Sequence, residues 1–149
     1  MALNRDFVGR AYPSPAPYEV SRVKIKEFAA AIGDDNPVYR DREAAVAAGH
    51  PDVVAPPTFP IVFTLAGASE ALSDPEFGLN FAMVVHGEQR FSYQRPIYAG
   101  DQLVATATIA EIRSVGRNEF LTIRSDVATA AGEPVCTTYQ VLVERGGAA

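Results

Sequence analysis

From Pro57 to Leu72 the chain reads PTFPIVFTLAGASEAL, and apolar or small residues fall on nearly every side of the helix that this stretch predicts. Phe59, Ile61, Val62, Phe63, Leu65, Ala66, Ala68, Ala71 and Leu72 cannot be gathered onto one stripe. A helix that is hydrophobic all round has to be buried all round. A bilayer does not solve the problem, because crossing one takes about 20 apolar residues. Protein must therefore surround a helix at about 57–72, and Pro57 suits its first turn, where a missing N–H is tolerated.

The second half of the chain supplies the cover. FAMVVHGEQRFSYQRPI, QLVATATIAEI, EFLTIRSDVAT and PVCTTYQVLVE are rich in β-branched and aromatic residues and predict strands. YAGD, SVGRN and AAGE separate these runs and have hairpin-turn chemistry. In the 119–127 run, Leu121, Ile123 and Val127 alternate with Thr122, Arg124 and Asp126, which predicts one buried and one solvated face. The expected fold class is α+β, an antiparallel sheet curled around one long apolar helix.

Residues 1–80 read as helices and loops. YPSPAPYEV has prolines at 13, 15 and 17, so extended backbone is expected there. Ser21 is placed to cap a helix with the stripe Val23, Ile25, Phe28, Ala29 and Ile32, ended by Gly33 in the left-handed conformation. A second short helix is expected from the cap Asp41 through REAAVAA to Gly49. No repeat or linker divides the chain, so one domain is expected over 1–149, with 145–149 as a frayed tail.

Charge and cysteine content remove several classes of function. The net charge is −5 and no basic patch is available to neutralise phosphates, which argues against a nucleic-acid partner. Cys136 is the only cysteine, so no intrachain disulfide or thiolate metal cluster can form, and a core position is expected for it. No metal and no cofactor are expected. MALNRDFVGR lacks the apolar stretch of a signal peptide and no run reaches membrane-spanning length, so a soluble cytoplasmic protein without membrane attachment is expected.

A buried helix wrapped by a long antiparallel sheet is the hot-dog architecture, and GDDNPVYRDREAA, Gly33 to Ala45, takes the likeness further. It resembles the hydratase motif of MaoC-like (R)-specific enoyl hydratases and dehydratases, Gly-Asp-x-Asn-Pro-hydrophobic-His. Gly33, Asp34, Asn36, Pro37 and Val38 match, and Tyr39 stands at the histidine position. VVHGEQRFSYQRPIYAGDQL, Val84 to Leu103, is similar to a strand segment of the same family. The likeness is greatest to the small accessory subunits of actinobacterial (3R)-hydroxyacyl-carrier-protein dehydratases, the UPF0336 type. It covers nearly the whole chain.

The resemblance implies a (3R)-hydroxyacyl thioester on coenzyme A or acyl carrier protein as the ligand. Dehydration removes a weakly acidic proton alpha to the thioester carbonyl and expels the 3-hydroxyl as water. That requires a base within hydrogen-bond reach and donors for the enolate-like oxygen. By the family pattern Asp34 orients or protonates the departing water, with an Asx-type turn as its competing role. Asn36 fixes the loop and Pro37 stiffens it. Tyr39 is a poor base, since a phenol has a reference pKa of about 10 against about 6.5 for imidazole. Arg40 would favour its ionisation only if it pointed inward. His86 is a candidate substitute, with a structural strand role as the alternative, and His50 is expected on a loop surface. The catalytic candidates are therefore Asp34, Asn36, Tyr39 and His86.

A second departure lies where the central helix begins. The family catalysts have a His-Gly-Met-like sequence there, whereas this chain has Ala55-Pro56-Pro57-Thr58-Phe59. Both prolines lack an N–H, which leaves Thr58 and Phe59 as possible donors to a thioester oxygen. Phe59 and Phe63 either line an acyl tunnel or pack the core. Thr58, Phe59 and Phe63 are thus the substrate-binding candidates.

The expected role is an acyl-thioester-binding subunit of a (3R)-hydroxyacyl-thioester dehydratase in fatty-acid synthesis, without its own base. It would form a homodimer alone, a heterodimer with a His-bearing hot-dog subunit, or both, because a sheet wrapped on one helix leaves an open edge. The competing roles are a self-sufficient hydratase or dehydratase, a hot-dog thioesterase, and a non-enzymatic acyl-thioester binding protein.

Overall fold

The computed structural model describes residues 2–146. Two short strands, β1 (Ala11–Pro13) and β2 (Tyr18–Glu19), precede helices α1 (Arg22–Ala31), α2 (Arg42–Ala47) and α3 (Ile61–Ser73). Four long strands follow: β3 (Val84–Tyr93), β4 (Gln102–Val115), β5 (Asn118–Thr129) and β6 (Pro134–Glu144). They form one antiparallel sheet in the order β1-β4-β5-β6-β3, and β2 also pairs with β4. The last three strands are joined by hairpins, whereas β3 returns beside β6 and becomes an edge. Residues 147–149, part of the expected frayed tail, lie outside the described residues; Arg145 N–H bonds Met83 O at 3.0 Å.

The long strands follow their alternating pattern. Leu103, Ala105, Ala107 and Ile109 of β4, and Leu121, Ile123 and Val127 of β5, are buried against α3. One apolar cluster contains Phe7, Ala68, Leu72, Phe77 and Leu142; the other contains Val20, Ile25, Phe59, Phe63, Ile97 and Cys136. The proline-rich segment is extended as expected, and its flanks add β1 and β2 to the sheet beside β4. Pro13 is tolerated there because β1 is an edge strand.

Three expectations are corrected. The central helix begins at Ile61 rather than near Pro57. Pro60 has no N–H to donate to Pro56 O, so the hydrogen-bond ladder of α3 begins after it and residues 57–60 form a turn, with Phe59 N–H bonded to Pro56 O at 2.9 Å. Nor is the helix buried all round. Phe63, Thr64, Gly67, Ala68, Ala71 and Leu72 are buried, whereas Leu65, Ala66, Ser69 and Glu70 are exposed. The cause is geometric: α3 packs on β1, β4 and β5, and the β6–β3 side of the sheet stands away from it across a groove. The stripe on α1 is also narrower than expected, since Ile25 and Ala29 are buried but Val23 and Ile32 are exposed.

Candidate functional site

The loop from Gly33 to Asp41 is built by its own side chains. Ser21 caps α1, its hydroxyl accepting from Lys24 N–H at 3.1 Å. The helix stops at Gly33, whose φ of 72° is in the region where a Cβ is strained. Asp34 N–H then bonds Ala29 O at 3.0 Å, and its carboxylate accepts from Asn36 N–H at 3.1 Å, an Asx turn. The Asn36 side-chain oxygen accepts from Val38 N–H at 3.2 Å and opens a single helical turn, Pro37–Tyr39. Asp41 caps α2 in the same way through Glu43 N–H. Asp35 is exposed and draws Arg40 outward to 2.7 Å. That guanidinium is therefore paired with Asp35 rather than with Tyr39.

A cavity of about 400 Å³ lies beside this loop, walled by Val38, Tyr39, His50, Val54, Tyr93 and Arg95 among others. Backbone bonds hold its parts together: Val54 N–H to Val38 O at 3.0 Å, and Ala55 N–H to Ile97 O at 2.8 Å. The Tyr93 hydroxyl donates to Pro57 O at 2.6 Å and ties β3 to the turn before α3. Arg95 is neutralised by Asp101 and Glu133, each at 2.9 Å.

The electrostatics work against a phenolate. Burial raises the pKa of Tyr39 above its ordinary value, and the Asp34 charge raises it further. Burial does the same to Tyr93 and pushes the Cys136 thiol up to about 12, so neither is a nucleophile at neutral pH.

The sequence-selected residues are only partly brought together. Tyr39 lines the cavity, and Asp34 is close enough for its charge to act on that phenol. Asn36 is exposed and holds the loop. His86 is exposed on edge strand β3, with Nε2 3.0 Å from Glu88 O, and is not among the cavity walls. Thr58 is exposed in the turn before α3. Phe59 is fully buried against Tyr18, Phe28 and Phe63, and Phe63 stacks on Tyr18 at 4.8 Å. The Phe59 N–H is already bonded to Pro56 O, which withdraws one of the two expected donors.

His50 is the residue that sequence reasoning misplaced. It is half-buried in the cavity wall rather than on an open loop surface, with Nδ1 3.4 Å from the Tyr98 hydroxyl. The signal was the apolar run Val53-Val54-Ala55 after it, which returns the loop to the core and bridges Val54 to Tyr98.

Comparison with known proteins gives this geometry a context. Residues 6–138 match the family described as FAS1-like, dehydratase domain region. A UPF0336 protein of Thermobifida fusca is 56% identical over 99% of this chain and 97% of its own length. A UPF0336 protein of Streptomyces coelicolor is 54% identical over 97% of each chain. Among solved structures, the C-terminally truncated HadBC (3R-hydroxyacyl-ACP dehydratase) complex from Mycobacterium tuberculosis superposes with a TM-score of 0.85 at 27% identity, over 95% of this chain and 99% of that one. A MaoC-like dehydratase superposes with a TM-score of 0.83 at 30% identity, over 93% of this chain and 42% of that one.

Proposed function

The chain belongs to the UPF0336 family of MaoC-like, hot-dog dehydratase relatives, and from that membership we propose that it is the acyl-thioester-binding subunit of a (3R)-hydroxyacyl-thioester dehydratase that draws its base from a second hot-dog chain. The observation that carries the reading is Tyr39. It occupies the base position of the motif and lines the cavity, yet its surroundings hold the proton on the phenol. Removing an alpha proton needs an acceptor with a pKa near the working pH. Tyr39 cannot supply one, and Arg40 is engaged by Asp35.

The free edge of β3 supports a paired assembly. This strand bonds β6 on one side only, and Leu65, Phe81, Met83 and Val85 around it are exposed apolar side chains. The likeness to a dehydratase complex supports the same reading. In such a pair this chain contributes part of the acyl channel, and the partner contributes the imidazole. The test is to mix the purified chain with a hot-dog chain that keeps Gly-Asp-x-Asn-Pro-x-His. Light scattering should give the mass of a heterodimer, and the mixture should turn over a (3R)-hydroxyacyl thioester faster than either chain. Two unchanged masses and no gain in turnover would reject the proposal.

One observation favours a second reading, a self-sufficient hydratase. His50 shares the cavity with Tyr39, and Tyr98 could orient its ring so that the far nitrogen accepts a proton. That reading requires intrinsic turnover that is lost in His50→Gln.

A further inference from the structure

Tyr39, His50, Tyr93, Gln94 and Arg95 are the polar side chains in the walls of the cavity, and most of them are already engaged. The Tyr93 hydroxyl donates to Pro57 O at 2.6 Å. Arg95 is bonded to Asp101 and Glu133, each at 2.9 Å. One ring nitrogen of His50 faces the Tyr98 hydroxyl at 3.4 Å. Gln94 is exposed, so water satisfies its amide. The Tyr39 hydroxyl differs. Among the described residues no hydrogen bond engages it, and the neighbouring Arg40 is held by Asp35.

The ring is fixed while its hydroxyl is free. Tyr39 ends the single turn that Asn36 opens, with its own N–H on Asn36 O at 3.1 Å. Val54 N–H on Val38 O anchors that turn to the cavity wall. The ring is half-buried and packs against the cluster that contains Ala55, Phe59 and Phe63. A tyrosine seated in this way has an apolar body in contact and a polar tip that calls for a partner. Burial and the Asp34 charge keep the proton on the oxygen, so what the phenol offers is an O–H donor. The same charge disfavours an anion at this point and leaves a neutral acceptor as the group that fits. Other donors nearby are scarce. Pro56 and Pro57 have no N–H, and the Phe59 N–H is bonded to Pro56 O.

We propose that the Tyr39 hydroxyl donates a hydrogen bond to the thioester carbonyl oxygen of the bound acyl group, so that the position of the lost base serves as a binding donor. This rests on the acyl-thioester reading above. The phenol takes no part in proton transfer. It holds the carbonyl at a set point in the cavity, and it distinguishes a thioester from a ligand of similar length and shape that has no carbonyl. One neutral hydrogen bond of this kind corresponds to roughly three- to tenfold in affinity.

The test is isothermal titration of the purified chain with hexanoyl-CoA and with S-hexyl-CoA, a thioether in which a methylene replaces the carbonyl. The wild type should bind hexanoyl-CoA roughly three- to tenfold more tightly than the thioether. Tyr39→Phe removes only an oxygen that bonds nothing in the fold. It should keep its melting temperature and its affinity for S-hexyl-CoA, and lose the preference for the thioester. Equal binding of the two probes by the wild type, or a preference that survives in Tyr39→Phe, would overturn the inference and leave the acyl-thioester reading standing. Binding of neither probe to the folded chain would overturn both.

Discussion

At Tyr39 one substitution decides between a base and a spectator. The cavity, the Asx turn at Asp34 and the Asn36 cap are all present around it. Tyr39 itself is not an acceptor at neutral pH, because burial and the Asp34 charge both keep the phenol protonated. The same charge would favour an imidazolium, so an imidazole at this position should have a raised pKa. Tyr39→His is expected to raise enoyl-CoA hydration by roughly 10²-fold or more, the usual scale of general-base catalysis, with a rate that increases with pH as the ring loses its proton. A steady-state rate–pH profile checks both. No gain at any pH would locate the defect in the turn before α3, where Pro56 and Pro57 lack N–H groups and the Phe59 N–H is taken. The sequence identified Tyr39 and the loop chemistry of Asn36, because both are local. It misplaced His50, whose position depends on how Val53 to Ala55 return to the core, a contact distant in sequence.

At the scale of elements, the helix and the sheet meet closely at Gly67. A Cβ built there would lie 2.8 Å from Tyr12 O and 3.6 Å from the Ala107 Cβ. Alanine improves helix propensity by about 1 kcal/mol, but here it would push α3 off β1 and β4. Overpacking of this kind costs roughly 1–3 kcal/mol. Gly67→Ala should therefore be destabilising on balance, read as a lower urea midpoint with an unchanged slope. An unchanged or higher midpoint would mean that the helix seats more loosely than described. The four long strands were legible from alternation and turn residues, since β-hairpins are specified locally. The start of α3 was misjudged because Pro57 satisfies a helix rule that Pro60, three residues later, overrides. The all-round burial of α3 failed for another reason: hydrophobicity says that a surface wants cover, not which chain covers it.

For the whole molecule, the open sheet edge expected from the sequence lies beside an uncovered flank of α3. The flank of α3, the groove beside it and the free edge of β3 lie together, and Phe81 at the rim is 58% exposed. On the proposed reading, a fold with its apolar flank open and a phenol at its base position is half of a working site. The measurement that tests this most directly is hydration of a trans-2-enoyl-CoA by the purified, folded chain alone, with Asp34→Asn as the control for contaminating enzyme. The account predicts no turnover above that control. Turnover that disappears in Asp34→Asn, and also in His50→Gln, would contradict it and make the chain an enzyme in its own right.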